Sequence, residues 1–384
     1  MLLLAIDTSC DETSVAIVDK DRVLANKLSS QIKSHKEWGG VVPGLAKRKH
    51  EELIDLVIEK ALRQASVTLE KIDVFAVTVG PGLAIALEVG IQKVQELAHR
   101  YKKPVVAVNH MEGHIHSAFA KNSQGKPELT FTFPVLCLLI SGGHTEFVLM
   151  QDHGKYQIIG ETLDDSIGEA YDKVGRMLDM GYPAGPVLEV IARNGNEHAY
   201  DLPVPMKYSG NANMSYSGLK TATMQVIQHE ISSSRNIYTE KFNKRIQESY
   251  KKRFGNTKIP SDSLHETRDE AGIVADIAAS FQRAAVEQLL LKTRYIIQTV
   301  FGEKPPSHMI IAGGVAQNIF IRKKFRRELK DTVTIHYPTS PKLYTDNAGM
   351  IGIAAYYNAL RGNFISDIKS LDRMPNWRVE TVSY

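Results

Sequence analysis

Cysteine is almost absent from this chain of 384 residues, which contains only Cys10 and Cys137. Two cysteines exclude a disulfide scaffold and any zinc site built mainly of thiolates. Long apolar runs are lacking too. The stretch from Phe133 to Ile140 is far too short to span a bilayer, so we expect no membrane association. Neither charge dominates, since 47 Lys and Arg against 43 Asp and Glu give a net charge of +4, which only weakly favours an anionic partner.

Two stretches of the chain open with the same pattern. Leu2–Ile6 and Ser14–Val18 are predicted strands around a short polar turn, and Pro134–Ile140 and Glu146–Met150 repeat this arrangement. Alternating strands and helices follow in each half, which predicts an α/β fold with parallel strands. Two such halves facing a cleft correspond to the duplicated actin-like (sugar kinase/Hsp70) arrangement. A single doubly wound sheet is the alternative.

The pattern also suggests where the two lobes begin and end. We expect an N-terminal lobe over residues 1–132, closed by a C-terminal helix at 347–361, and a C-terminal lobe over 133–346. The periodicity loosens between Gly185 and Ala271, which predicts an insert over about 186–270. Residues 363–384 are expected to form a C-terminal extension.

A pair of histidines follows a predicted buried strand. His110 and His114 are four residues apart, so on a helix both imidazoles point to one side and can bind one ion. Asp346, otherwise a simple helix cap, could complete a set of two histidines and one carboxylate that suits iron(II) or zinc. Met111 stands where a zinc peptidase of the HExxH type needs glutamate, which disfavours proteolysis.

Glycine-rich turns follow several predicted strands, at Gly80–Gly82, Gly142–Gly143 and Gly313–Gly314. One such turn alone is more often structural than functional. Three of them in one cleft are better explained by close approach of the backbone to a nucleotide. A P-loop is excluded because no GxxxxGK[ST] sequence occurs.

Basic residues are concentrated in a few short clusters, including Lys47–Lys49 and Lys251–Arg253. Each is ordinarily a solvated helix face. The densest cluster places five cations within six residues and suits a nucleic-acid phosphate backbone. Its members are Arg322, Lys323, Lys324, Arg326 and Arg327.

Six ordered motifs resemble those of the TsaD family, the transferases that make threonylcarbamoyladenosine in tRNA. The resemblance covers about residues 1–362, and the Gly-Gly-His form of the second turn is typical of the bacterial and organellar branch. The motifs are Asp7–Ser14, His110 with His114, Ser141–Thr145, Ser217–Thr221, Gly313–Val315 with Asn318, and Thr345–Asn347.

This resemblance implies an actin-like fold and one divalent metal ion per subunit, iron or zinc, held by His110, His114 and Asp346. The archaeal branch supplies a tyrosine to the metal, and the aligned residue here is Leu139, so that ligand is absent. An adenylate pocket is also implied, formed by Leu139, Ile140, Ser141, Gly142, Gly143, Asp172, Gly185, Glu189 and Asn318.

The implied reaction transfers a threonylcarbamoyl group from threonylcarbamoyl-AMP to the N6 amine of the adenine at tRNA position 37, in tRNAs that read codons beginning with A. Asp11 and Glu12 are candidates to accept the amine proton, although without the resemblance they would be interpreted as a solvated acidic turn. The implied partners are tRNA and a YrdC-type synthase that makes the adenylate. A homodimer is one option for the assembly.

Alternative functions are an actin-like phosphotransferase or ATPase, a metallopeptidase and a non-enzymatic scaffold. The sequence also leaves two alternatives for the cellular location. The Lys-rich segment 229–262, the tail after Gly362 and the basic character of the chain favour a mitochondrial member, and the bacterial cytoplasm is the alternative.

Overall fold

A computed structural model of the protein describes residues 1–35, 41–231 and 268–382. The segment expected to be polar and exposed, 229–262, therefore lies almost wholly outside the described residues, as does the Lys251–Arg253 cluster.

The N-terminal half forms one five-stranded sheet. Its strands are β1 (Leu2–Asp7), β2 (Glu12–Asp19), β3 (Arg22–Ser30), β4 (Val74–Gly80) and β5 (Val105–Asn109). They are ordered β3-β2-β1-β4-β5, with an antiparallel β1–β2–β3 meander and with β4 and β5 parallel to β1. The parallel strands bring their carboxyl ends to one edge, where ligands bind in α/β folds.

The C-terminal half repeats this sheet. Its strands are β6 (Val135–Ile140), β7 (Thr145–Asp152), β8 (Lys155–Glu161), β9 (His308–Ala312) and β10 (Thr334–His336). Reading the order as β8-β7-β6-β9-β10 gives the same connectivity and the same strand directions as the first sheet. The predicted duplicated, actin-like α/β fold is confirmed, and the alternative of a single doubly wound sheet is wrong.

Helices cover both sheets and fill the space between them. Among the described residues, none is long and apolar enough to cross a membrane. The α-helices are α1 (Ile32–His35), α2 (Pro43–Ala65), α3 (Ala84–Tyr101), α4 (His110–His116), α5 (Ile167–Met177), α6 (Gly185–Ala192), α7 (Ser217–Ile231), α8 (Arg268–Ile296), α9 (Ile319–Leu329) and α10 (Ala348–Leu360).

Alternating side chains of the central strands face different cores. On β1, Leu4 and Ile6 pack with α2 and α3, whereas Leu3 and Ala5 face a central core that contains α4 and α10. On β6, Leu139 faces this same central core. Helices α4 and α10 therefore lie between the two sheets, and each element that carries a predicted metal ligand is fixed from both sides.

The contact between α4 and α10 is close at Gly113. A side chain at Gly113 would place its Cβ 2.7 Å from Cδ1 of Ile351, closer than real atoms approach. Since His110 and His114 lie on α4 and Asp346 directly precedes α10, this close packing sets the distance between the predicted metal ligands.

Two helices lie where the sequence predicted a loosely ordered insert. Helix α6 contributes Leu188 and Ile191 to the core of the C-terminal half, and α7 contributes Leu219. Residues 186–231 of the expected insert therefore contribute to this core through the side chains of α6 and α7. Helix α5 begins at Ile167, because Ser166 and Glu169 form a reciprocal capping box. The lobe boundaries themselves stay a prediction.

The C-terminal tail, expected to lie outside the common core, packs against the N-terminal half. Trp377 is buried in its outer core, and the Met374 amide donates to the Val79 carbonyl at the end of β4. Gly80 allows this approach, because a Cβ at that position would lie 1.8 Å from the Met374 carbonyl oxygen. Farther along, Arg378 pairs with Glu161 of β8 at 3.2 Å, so the tail connects the two halves.

The buried tryptophan should make the tail part of the folding unit. We expect Trp377→Ala to lower the free energy of unfolding by about 3–5 kcal/mol, the usual cost of removing a buried aromatic ring. Phe364→Ala is the matched control, because that ring is 40% exposed in the same tail and its loss should cost about 0.5 kcal/mol or less. Urea unfolding measures both variants, and equal losses would show that the tail is not anchored through Trp377.

Candidate metal centre and cleft

A cleft of about 590 Å³ opens at the strand ends of both sheets. The two hairpin turns line it, Ser9–Glu12 between β1 and β2 and Ser141–His144 between β6 and β7. Gly82 and Gly314 add the glycine turns that follow β4 and β9. The prediction that these turns share one cleft is therefore confirmed. A Cβ built at Gly142 or Gly143 meets nothing within 4 Å, so the backbone of the second hairpin turn is open to a ligand here.

The three predicted metal ligands meet at the base of this cleft. His110 and His114 lie one turn apart on α4, and the Nε2 atoms of both lie 3.3 Å from Oδ1 of Asp346. One ligand atom from each residue falls within 4.8 Å of the others, so a single ion could contact all three. The third histidine nearby, His116, is directed elsewhere and its Nε2 lies 3.0 Å from Nδ1 of His153.

Neighbouring side chains orient this set. The Asn109 side chain caps α4 by accepting from the Met111 and Glu112 amides, and its amide group donates to the Trp377 carbonyl of the tail. On His110, Nδ1 lies 3.1 Å from Oγ of Ser9, which leaves Nε2 directed at the carboxylate. Such partners fix the tautomer and direction of a metal-bound imidazole.

The donor set fits a divalent ion. Both ring nitrogens of the buried His114 lack a hydrogen bond within the described part of the chain, although Nε2 is close to the Asp346 carboxylate. A buried polar atom without a partner is costly, and coordination would satisfy Nε2. Two imidazoles and one carboxylate with open positions suit zinc or iron(II).

Electrostatics favour a cation at this point. Burial alone would raise the pKa of Asp346, but His110 and His114 outweigh it and hold that pKa well below its usual range. Burial likewise acts to lower the pKa of His110, yet the Asp346 carboxylate raises it to about 9. Burial lowers the pKa of His114. The carboxylate is thus anionic and shared between a protonated and a neutral imidazole, and a metal ion can replace that proton.

The predicted acidic residues line the same cleft. Asp11 is 9% exposed and Glu12 is partly buried, so the turn is not simply solvated. Burial raises the pKa of Glu12 well above its usual range, and the carboxylates of Asp11 and Asp346 add to this effect. Glu12 therefore tends to hold a proton.

The predicted adenylate residues separate into two groups. Ser141, Gly142, Gly143 and Asp172 line the cleft. The others do not appear on its wall. The side chains of Leu139 and Ile140 are buried in the two cores that flank β6, so only their backbone faces the turn.

The remaining three predicted residues, Gly185, Glu189 and Asn318, take part in hydrogen bonds at the N-terminal ends of α6 and α9. Asp172 Oδ1 accepts from the Gly185 amide at 2.6 Å, at the start of α6. Glu189 accepts from the Ile319 amide at 2.8 Å, and Asn318 caps α9 by accepting from the Ile321 amide. These groups connect α5, α6 and α9 and so shape the wall that Asp172 lines.

The densest basic cluster lies on α9, and its members differ in environment. Arg322 stacks over the Tyr337 ring at 4.7 Å and Lys324 lies 3.7 Å from Glu197. Arg327 pairs with the adjacent Glu328. Lys323 and Arg326 are exposed and form no ion pair among the described residues.

Sequence reasoning missed two cleft features. His144 of the second hairpin turn lines the cleft, and its pKa falls to about 4, mainly through burial. One face of α5 lines it too, through Glu169, Asp172, Lys173 and Arg176. The spacing of these residues at i, i+3, i+4 and i+7 was a readable signal, but an amphipathic helix with a charged face is too common to stand out.

Comparison with known proteins gives a consistent result. Residues 22–353 match the family model TsaD, described as tRNA N6-adenosine threonylcarbamoyltransferase. A protein of that name from Clostridium perfringens (strain SM101 / Type A) is 42% identical over 380 residues, which is 98% of each chain. Another, from Thermodesulfovibrio yellowstonii, is 41% identical over 368 residues, covering 96% of this chain and 97% of the relative.

A solved structure of the activator of 2-hydroxyisocaproyl-CoA dehydratase from Clostridium difficile is also similar, with a TM-score of 0.49 and 13% identity over 94% of this chain and 97% of that chain. This likeness says nothing about activity.

Loss of either histidine should remove the metal. Losing only a hydrogen-bond partner of a ligand typically lowers metal affinity about 10–100-fold, so we expect His110→Ala and His114→Ala each to lower it further and the double variant to bind none. His99→Ala is the control, because His99 is an exposed histidine in the last turn of α3. Elemental analysis of the purified proteins gives metal per chain, and circular dichroism checks the fold. Full occupancy in the folded double variant would refute this assignment.

Proposed function

Because this chain belongs to the TsaD family, we propose that it transfers the threonylcarbamoyl group from threonylcarbamoyl-AMP to the N6 amine of adenine in tRNA, with release of AMP. The family match carries this proposal. Support also comes from the site, where a His-His-Asp cluster, an acidic turn and uncovered glycine turns face one cleft.

The proposed reaction is an acyl transfer. The lone pair of the adenine N6 amine attacks the carbamoyl carbon, a C–N bond forms, and the C–O bond to the phosphate of AMP breaks. The AMP oxygen keeps that electron pair, and the amine loses one proton. An aromatic amine is a weak nucleophile, so catalysis needs a proton acceptor and stabilisation of negative charge on oxygen.

We assign the proton acceptor to Asp11. Both acidic residues of the first turn reach the cleft, but the raised pKa of Glu12 favours its protonated form, which cannot accept a proton. Asp11 is buried beside it, close enough to contribute to that raised pKa. In this assignment Glu12 holds one proton and the side chain of Asp11 receives the proton of the amine.

Negative charge on the donor would meet backbone amides. The backbone at Gly142 and Gly143 is open, since a Cβ built at either position meets nothing within 4 Å, and of the two N–H groups the one at Gly143 also donates to Oγ of Ser141 at 3.3 Å. Such groups hold phosphate or a developing oxyanion. His110, His114 and Asp346 would hold the iron or zinc ion, which when bound polarises oxygen and offsets phosphate charge.

The competing functions have less support. A phosphotransferase does not require paired histidines aimed at a carboxylate. A peptidase of the HExxH type needs a glutamate directly after the first histidine, and here the buried Met111 occupies that position. The bacterial cytoplasm fits the relatives better than the mitochondrion does. The relatives from Clostridium perfringens and Thermodesulfovibrio yellowstonii are bacterial. The mitochondrial location and the homodimer stay predictions.

Reconstitution tests the proposed function. With a YrdC-type synthase, threonine, bicarbonate, ATP and unmodified tRNA, the purified protein should form the modified nucleoside, and threonylcarbamoyl-AMP should replace synthase and ATP. Asp11→Asn should lower the rate about 10²–10⁴-fold, the usual contribution of a general base, without loss of metal. Glu12→Gln should cost less. Product formed without synthase or adenylate would contradict the proposed donor, and a larger loss in Glu12→Gln would exchange the two roles.

The uneven environments of the α9 cations predict which of them contact tRNA. We expect Lys323→Ala with Arg326→Ala to weaken tRNA binding and to flatten its log–log salt dependence by about one unit per lost contact. Lys324→Ala with Arg327→Ala removes the same charge from residues already paired with glutamates, and should change the slope less. Filter binding at several salt concentrations measures both. Equal slopes in the two variants would mean that α9 contributes only general charge.

A further inference from the structure

One face of α5 lines the cleft. Glu169, Asp172, Lys173 and Arg176 all line it, and Arg176 occupies the last turn of the helix. Of these four, Glu169 and Arg176 are exposed and the middle two are half-buried. The helix therefore presents a sequence of charged groups along the wall and ends with an arginine.

Three of these groups already have partners in the protein. Glu169 belongs to the capping box with Ser166, and Asp172 accepts from amides at the start of α6. Lys173 pairs with Asp165. Their charges are thus satisfied before any substrate arrives.

Arg176 differs from them. Within the part of the chain that the structure describes, its guanidinium makes no hydrogen bond and no ion pair within 4.0 Å, although its charge acts to lower the pKa of Asp172 one turn earlier, and the side chain is exposed. Its location in the last turn is favourable for a cation because of the helix dipole, which explains its local stability but not its orientation into a cleft.

The charge around the cleft makes an unpaired cation significant. Asp11, Glu12 and Asp346 place carboxyl groups on one side, and among the described lining residues the only Lys or Arg side chains are Lys173 and Arg176. A polyanion approaching this opening meets net negative charge unless a cation on its rim contacts it. A planar guanidinium binds phosphate through two parallel N–H donors.

We propose that Arg176 binds a phosphate group of the RNA next to the adenine that enters the cleft. This inference rests on the proposed function. The phosphate of the donor is the other source of the same chemistry, but the open turn at Gly142 and Gly143, which lines the same cleft as the metal ligands, already offers it a site. Arg176 is exposed at the end of α5, where flanking RNA phosphates would remain while the base reaches inward.

A matched pair of variants tests this assignment. Arg176→Ala removes one charge from the last turn of α5, and Arg63→Ala removes one from the last turn of α2, where Arg63 is exposed and pairs with Glu59. Fluorescence anisotropy with an unmodified anticodon stem-loop gives affinity across a range of salt. We expect Arg176→Ala to flatten the log–log salt slope by about one unit, Arg176→Lys to keep the slope, and Arg63→Ala to leave it unchanged.

The donor is tested separately by calorimetric binding of AMP, which should be the same in Arg176→Ala and in the unaltered protein. If AMP binding falls while the RNA slope is unchanged, the phosphate is that of the donor and the RNA assignment is wrong. If neither changes, Arg176 binds no phosphate. In both cases the proposed function still stands as long as the unaltered protein modifies tRNA, so the two failures are distinguishable.

Discussion

The packing of two sheets on either side of α4 and α10 is the constraint on which the rest of the site depends. His110 and His114 belong to α4, and Asp346 immediately precedes α10, more than 200 residues later in the sequence. Their convergence on one carboxylate oxygen requires the close helix contact that Gly113 permits. A buried carboxylate between two imidazoles is stable only with a shared proton or a cation, so the fold creates a cation site by bringing these helices together.

The same packing produces a cleft that must accept both a cation and anionic substrates. Its base attracts a cation, and the carboxyl groups of its acidic turn make the cleft unfavourable for anionic substrates. The open turn at Gly142 and Gly143 and the exposed guanidinium of Arg176 supply the complementary charge. An enzyme that brings an adenylate and an RNA to one acyl transfer needs this combination, since both substrates are anionic and the attacking amine must lose a proton.

Features with a local sequence signal were predictable. The hairpins follow from alternating apolar runs around short polar turns, and the His110–His114 spacing indicates a shared helix face. Helix α6 was missed because it is only eight residues long, and α7 because Asn, Gly and Pro precede it. The tail lacks periodicity because single residues such as Trp377 anchor it. The sequence could not predict that Arg176 forms no ion pair among the described residues, because this depends on where the fold places the acidic side chains.

The most direct measurement of the central claim is the nucleoside content of tRNA from a strain that lacks this protein, with its other proteins in place. Mass spectrometry of digested tRNA should show no threonylcarbamoyladenosine in the deletion strain and full recovery with the unaltered chain. His114→Ala, present at the same level and folded, should restore none of it. Retention of the nucleoside in the deletion strain, or full recovery with His114→Ala, would contradict the account.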